Sequence, residues 1–309
     1  MNTQPLSPET MTQSVWAVPP LARSAEGTLD REANRQIVRH IEAGGLSTLL
    51  YGGNAIFYHL TRADFAAALG IISDVADDAT TVIPAIGPAY GTILDQIEVL
   101  RDFDFPTAMV LPQRDIVQQA GLAAAIRTAA DRLGKPVVLY LKYDRMLAAD
   151  AIASLVSDGA VSAIKYAVVR DDPSDDPELC ELVDAVDPRY ILSGLGDQPA
   201  WVHLTDFGVG GFTTGCGCVA PKMSAALLAA IRDSDAETAE TIRRQFLPLE
   251  DLRNAWSPIT VLHAAVELAG IAKTGPVIPL LAAVTDDQRQ KIADAVRQLR
   301  ETEARHASV

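Results

Sequence analysis

The chain has 309 residues, 49% of them hydrophobic, with 26 Lys plus Arg against 40 Asp plus Glu and a net charge of −14. That length can bury one large core, with an appendage or a second domain beside it. So acidic a surface repels nucleic acid and anionic lipid, and neither is an expected partner, although a locally positive pocket for a small acid is compatible with it.

Residues 1–13 are polar, with no basic start and no apolar stretch. They read as a flexible leader and not as a signal peptide. No run approaches the ~18 uncharged apolar residues of a membrane span, so a cytoplasmic protein is expected. From there short β-like runs alternate with alanine-rich helical patterns. Strands are predicted over 14–18, 46–51, 80–85, 106–111, 136–142, 161–168, 190–194 and 208–214. Between them helices are predicted over 31–43, 62–76, 93–102, 116–133, 148–157, 177–185 and 199–207. Strands alternating with helices predict a parallel sheet, and eight of them predict closure into a (βα)8 TIM barrel. The strands are near-continuous apolar runs, as a sheet buried on both faces requires. After Thr214 the β signal stops. Helices are expected over 221–232, 235–247, 258–268 and 286–303, so the barrel spans 14–232 and a helical extension 233–309.

In such barrels chemistry gathers at the C-terminal ends of the strands. Lys165 lies there, inside the apolar run Val161-Ser162-Ala163-Ile164-Lys165-Tyr166-Ala167. A charged amine is seldom placed in such a run without a partner or a role. Burial disfavours the ammonium form and leaves a neutral amine that can attack a carbonyl. Tyr140 lies in the preceding strand, about 4.8 Å away across the sheet. Its phenol suits proton transfer while a carbinolamine forms and collapses. Gly52 and Gly53 end the second strand, where backbone N–H groups can approach a carboxylate closely, and Asn54 offers an amide beside them. Ser193, Gly194 and Thr213 close the seventh and eighth strands, and Arg114 follows the fourth. Lys142, two residues after Tyr140, shares its strand face. A second cation there would hold the Lys165 amine neutral or pair with a substrate carboxylate.

Cys180, Cys216 and Cys218 are too few and odd in number for a disulfide framework, and Cys216-Gly217-Cys218 lacks metal spacing. None of the five histidines has the spacing of a metal site. No metal and no cofactor is expected, because a lysine iminium is itself an electron sink.

The order of these motifs resembles the dihydrodipicolinate synthase / N-acetylneuraminate lyase family of class I aldolases. Ala163-Ile164-Lys165 is similar to the Schiff-base strand of that family, and Val138-Leu139-Tyr140 to the strand with its catalytic tyrosine. The segment from Gly52 to Thr61 is similar to its carboxylate-binding loop, in the form found in sugar-acid dehydratases. Leu192-Ser193-Gly194 and Val219-Ala220-Pro221-Lys222 are further landmarks. The resemblance implies a (βα)8 barrel with a helical extension, a homotetramer built as a dimer of dimers, and a Schiff base with pyruvate or a longer 2-keto acid. It also implies roles for Lys165, Tyr140, Gly53 and Asn54. The chain departs from the pattern at Asn54-Ala55-Ile56, where a threonine, a glycine and a glutamate are usual. Leu111-Pro112-Gln113-Arg114 replaces the segment bearing the synthases' relay tyrosine. Leu141-Lys142-Tyr143-Asp144-Arg145 replaces Asn-Val-Pro and a substrate-binding arginine, a place that Arg145 is a candidate to fill. Lysine-biosynthetic activity is therefore not the expectation. Two other functions remain open on the residues alone. One is a phosphate-binding barrel isomerase using Gly194-Leu195-Gly196 and Gly208-Val209-Gly210. The other is a keto-acid binder without turnover.

Overall fold

Eight short apolar runs close into one barrel of parallel strands in sequential order, as described by a computed structural model covering residues 1–306. The strands are β1 (Trp16–Ala17), β2 (Thr48–Tyr51), β3 (Thr81–Ile86), β4 (Met109–Val110), β5 (Val137–Leu141), β6 (Val161–Tyr166), β7 (Ile191–Ser193) and β8 (Gly211–Thr214). β8 pairs back onto β1, Trp16 against Thr213, so no edge is left to pair with another chain. Nearly every strand residue is buried, because barrel filling covers one face and helices the other.

The helices are α1 (Pro8–Met11), α2 (Arg31–Ala43), α3 (Arg62–Val75), α4 (Tyr90–Leu100), α5 (Gln119–Leu133), α6 (Ala149–Ser157), α7 (Pro177–Ala185), α8 (Ala200–Thr205) and α9 (Pro221–Arg232). Local chemistry starts several of them. The Asp30 side chain accepts from the Ala33 N–H ahead of α2, and Asp176 does the same for Leu179 with Pro177 as the first helical residue of α7. Three helices follow the barrel: α10 (Ala236–Ala255), α11 (Pro258–Leu268) and α12 (Asp286–His306). No helix among the described residues is long and apolar enough to cross a membrane.

Three expectations need correction. The first thirteen residues do not trail free as a leader. Met11 is fully buried, its carbonyl accepts from the Trp16 indole N–H at 3.1 Å, and the Asn2 N–H donates to the Thr80 carbonyl at 2.8 Å. This segment packs across the N-terminal end of the barrel. The helix expected from 116 starts at Gln119, because Ile116 takes a left-handed φ of 57° and stands in solvent. The helix expected to stop at Leu247 continues through Pro248 to Ala255. An interior proline costs about 3 kcal/mol, yet the helix continues past it, with Phe246 and Leu249 packed in the core on either side.

Candidate active site

Side-chain alternation sorts the residues at the barrel mouth. Tyr166 donates its hydroxyl to Asp176 at the start of α7, at 2.7 Å, so it points outward, and its neighbour Lys165 points in. Register then places Tyr140 of β5 directly beside Lys165. The Lys165 Nζ sits 4.0 Å from the centroid of the Tyr140 ring. Lys165 is only 8% exposed. Its pKa is lowered, first by burial and then by the charges of Lys142 and Arg253, while the Tyr140 phenol acts in the opposite direction. The balance shifts the amine toward the neutral form that nucleophilic attack needs.

Gly194, just past β7, makes room for this lysine. A Cβ there would lie 3.0 Å from both Cγ and Cε of Lys165 and 2.8 Å from the Ala167 Cβ. Gly194→Ala is expected to displace the amine and slow its reaction with a keto acid by roughly 10- to 100-fold, since misplacement by about an ångström is that costly. The rate of borohydride-trapped adduct formation measures it, and an unchanged rate would show that the lysine is not held by this contact.

The loop after β2 is tied to the rest of the mouth. The Asn54 side-chain amide donates to the Val18 carbonyl at 3.1 Å. The Asn54 carbonyl lies 2.9 Å from Nε2 of His263 on α11. Burial holds that imidazole down at about 4, so the neutral ring donates through Nε2. The Asn54 amide therefore anchors the loop to the end of β1.

The other predicted residues separate into two groups. Thr213 is buried and faces the barrel interior, as the alternation from Ser193 and its partner Phe212 requires. The Lys142 Nζ stands 5.9 Å from the Tyr140 ring centroid, on an exposed side chain at the mouth. Ser193 does not face the site: its hydroxyl is 2.8 Å from Nδ1 of His203 on α8, outside the strand layer. Arg145 also turns away. It takes a left-handed φ of 56°, and its guanidinium pairs with Glu181 on α7. Arg114 is exposed, with its guanidinium carbon 5.2 Å from the Tyr143 ring centroid.

Two mouth residues escaped the sequence reading. Tyr58 lies in the short 3-10 turn Phe57–His59, 3.7 Å from where a Gly53 Cβ would be, and it is electrostatically coupled to Tyr140 and Tyr143. Arg253 reaches in from α10 and lies against Gly215 at the end of β8, where a Cβ would come within 2.3 Å of its Nη2. Only an uninterrupted α10 pattern would have pointed to it, and Pro248 concealed that pattern.

Comparison with known proteins agrees with this architecture. The model of the dihydrodipicolinate synthetase family matches residues 17–299. A Rhizobium meliloti protein named "Probable 5-dehydro-4-deoxyglucarate dehydratase" is 26% identical, over 82% of this chain and 85% of its own. A 4-hydroxy-tetrahydrodipicolinate synthase of Corynebacterium aurimucosum is 24% identical, over 85% of this chain and 86% of its own. The crystal structure of dihydrodipicolinate synthase from Oceanobacillus iheyensis superposes with a TM-score of 0.84 at 20% identity, covering 95% of this chain and 99% of that one.

Proposed function

The chain belongs to the dihydrodipicolinate synthetase family, and on that premise we propose that it is a lyase that forms a Schiff base between Lys165 and a 2-keto acid. The observation that carries this reading is the buried Lys165 amine held in register beside Tyr140, 4.0 Å from its ring. In the reaction, the neutral amine attacks the C2 carbonyl. Tyr140 delivers a proton to the carbonyl oxygen as the C–N bond forms, and water leaves to give the iminium. The iminium accepts the electron pair released when a C–C bond breaks or when a proton is lost ahead of departing hydroxide. The backbone at Gly53 holds the substrate's carboxylate, and Lys142 keeps the amine neutral through its charge.

The names of the relatives favour loss of water from a sugar-derived acid over the lysine-biosynthetic condensation. The chain's own Leu111-Pro112-Gln113-Arg114 segment, without a tyrosine, supports the same choice. We further place the enzyme in the cytoplasm as a homotetramer. Ile116, Val117 and Val169, exposed apolar residues in the segments after β4 and β6, and Tyr90 at the start of α4 support assembly through this end of the barrel.

Borohydride reduction in the presence of pyruvate is the direct test. Mass spectrometry is expected to find the reduced pyruvyl adduct on the tryptic peptide bearing Lys165. An unmodified Lys165 with pyruvate and with longer 2-keto acids would overturn the reading.

A further inference from the structure

His263 belongs to α11, in the helical extension, yet it is bonded to the loop that follows β2. Its neighbours along the helix, Val261, Leu262, Ala264, Ala265 and Val266, are buried and apolar. In that setting its side chain makes a single hydrogen bond among the described residues, from Nε2 to the Asn54 carbonyl at 2.9 Å. Its Nδ1 is buried without a partner. A buried nitrogen left unpaired is destabilising, and an apolar residue would avoid the penalty. What distinguishes this histidine from an apolar residue is therefore its bond to Asn54.

The loop itself shows what that bond does. Gly52, Gly53 and Asn54 each supply the carbonyl of a trans peptide, and all three carbonyls are bonded. The Phe57 N–H donates to the Gly52 carbonyl at 3.2 Å, and the Ile56 N–H to the Gly53 carbonyl at 2.9 Å. No backbone N–H donates to the third carbonyl, that of Asn54, and His263 fills the gap from another element. Across the same three peptides lie the N–H groups of Gly53, Asn54 and Ala55, none of which has an acceptor among the described residues. A peptide is planar, so fixing its carbonyl fixes the direction of its N–H. A donor on the carbonyl also polarises the amide and strengthens its N–H as a donor. His263 thereby sets the direction of the Ala55 N–H. The Asn54 side chain, donating to the Val18 carbonyl, holds the same peptide from the end of β1.

We propose that His263 is a positioning residue for the substrate's carboxylate, holding the Asn54–Ala55 peptide so that the unpaired N–H groups of this loop meet that carboxylate while Lys165 attacks the adjacent carbonyl. The inference rests on the Schiff-base reading and deepens it, giving the helical extension a part in substrate binding. Bonded to the loop's backbone, the histidine acts through Asn54 and not on the reacting atoms. Its loss weakens binding of the charged group and leaves the chemistry at Lys165 at its normal rate.

The test compares pyruvate with methyl pyruvate, which share the C2 carbonyl but not the charged carboxylate, by borohydride trapping on Lys165 over a concentration series. His263→Leu removes the donor. It is expected to raise the pyruvate concentration for half-maximal trapping roughly 10-fold, with the saturating rate and the methyl pyruvate curve within about 2-fold of wild type. His263→Gln keeps an N–H donor and is expected to restore most of the affinity for pyruvate. Melting curves accompany both variants, and should His263→Leu fail to fold, His263→Met decides in its place. An unchanged pyruvate curve in the folded variant without a donor overturns the proposal and leaves the Schiff base in place. So does an equal shift for methyl pyruvate, or an equal shift in His263→Gln. Failure to trap either compound on Lys165 of the wild-type protein would instead remove the Schiff-base reading itself.

Discussion

Replacing Lys165 with methionine is expected to lower turnover by roughly 10³-fold or more and to abolish the borohydride-trapped adduct. Methionine fills a similar volume without a nucleophile or a charge, so the buried site keeps its packing. Removing an amine from a site that is 8% exposed also removes a desolvation penalty, so the melting temperature should hold or rise. Loss of activity together with retained stability separates a chemical role from a structural one. A variant that keeps its turnover, or that still traps keto acid at another lysine, would place the chemistry elsewhere. Lys142 is the informative control, since its amine lies near the same phenol, 5.9 Å from the ring centroid, but on an exposed side chain.

Raising the pH from 6 to 9 is expected to destabilise the wild-type fold by on the order of 3 kcal/mol more than it destabilises Glu250→Gln. Glu250 is 2% exposed, and its Oε2 has no hydrogen-bond partner among the described residues. Burial first, and then the nearby Asp197 charge, push its carboxyl up to about 8 from an ordinary 4.5, with Arg253 opposing. Because the folded protein holds this proton more tightly than the unfolded chain, the stabilisation is full below the unfolded value of 4.5. It is lost as the pH rises toward and through about 8. Glutamine keeps an oxygen for the Asp197 N–H but cannot titrate, so its stability curve should be flatter over that window. Denaturant midpoints measured across the pH series check this, and parallel curves for the two proteins would show that Glu250 is not the titrating group. The result bears on the site as well, since Arg253 stands one helical turn beyond Glu250 on α10 and shares its surroundings.

Much of the framework was legible because its signals are local. The boundaries 31–43, 177–185, 221–232 and 258–268 coincide with helices α2, α7, α9 and α11. Each has a start signal next to it in the chain: Asp30, Asp176 with Pro177, Pro221, and Ser257 with Pro258. Where local and tertiary signals disagree, the local ones misled. Pro248 reads as a stop, yet packing on its far side carries α10 through it. The polar first residues read as loose, yet Met11 is enclosed by the barrel floor.

The site shows the same division. An amine in an apolar strand, and a tyrosine in the strand before it, can be read from the chain in order. Their contact depends on a register, Tyr140 against Lys165, that hydrogen bonding between two strands sets. Ser193 and Gly194 adjoin in sequence, but strand alternation sends the serine to His203 and leaves the glycine beside Lys165. Arg145 falls where a substrate arginine was expected, yet Glu181 on another helix claims it.

By itself, then, the sequence determined the alternation of strands and helices and the placing of Lys165 and Tyr140 in successive strands, because periodicity, caps and apolar runs act over a few neighbouring residues. Only the tertiary structure decided which charged groups face the mouth. A guanidinium from α10 and a glycine in the loop after β8 meet across a long separation in the chain, and that meeting is set by packing.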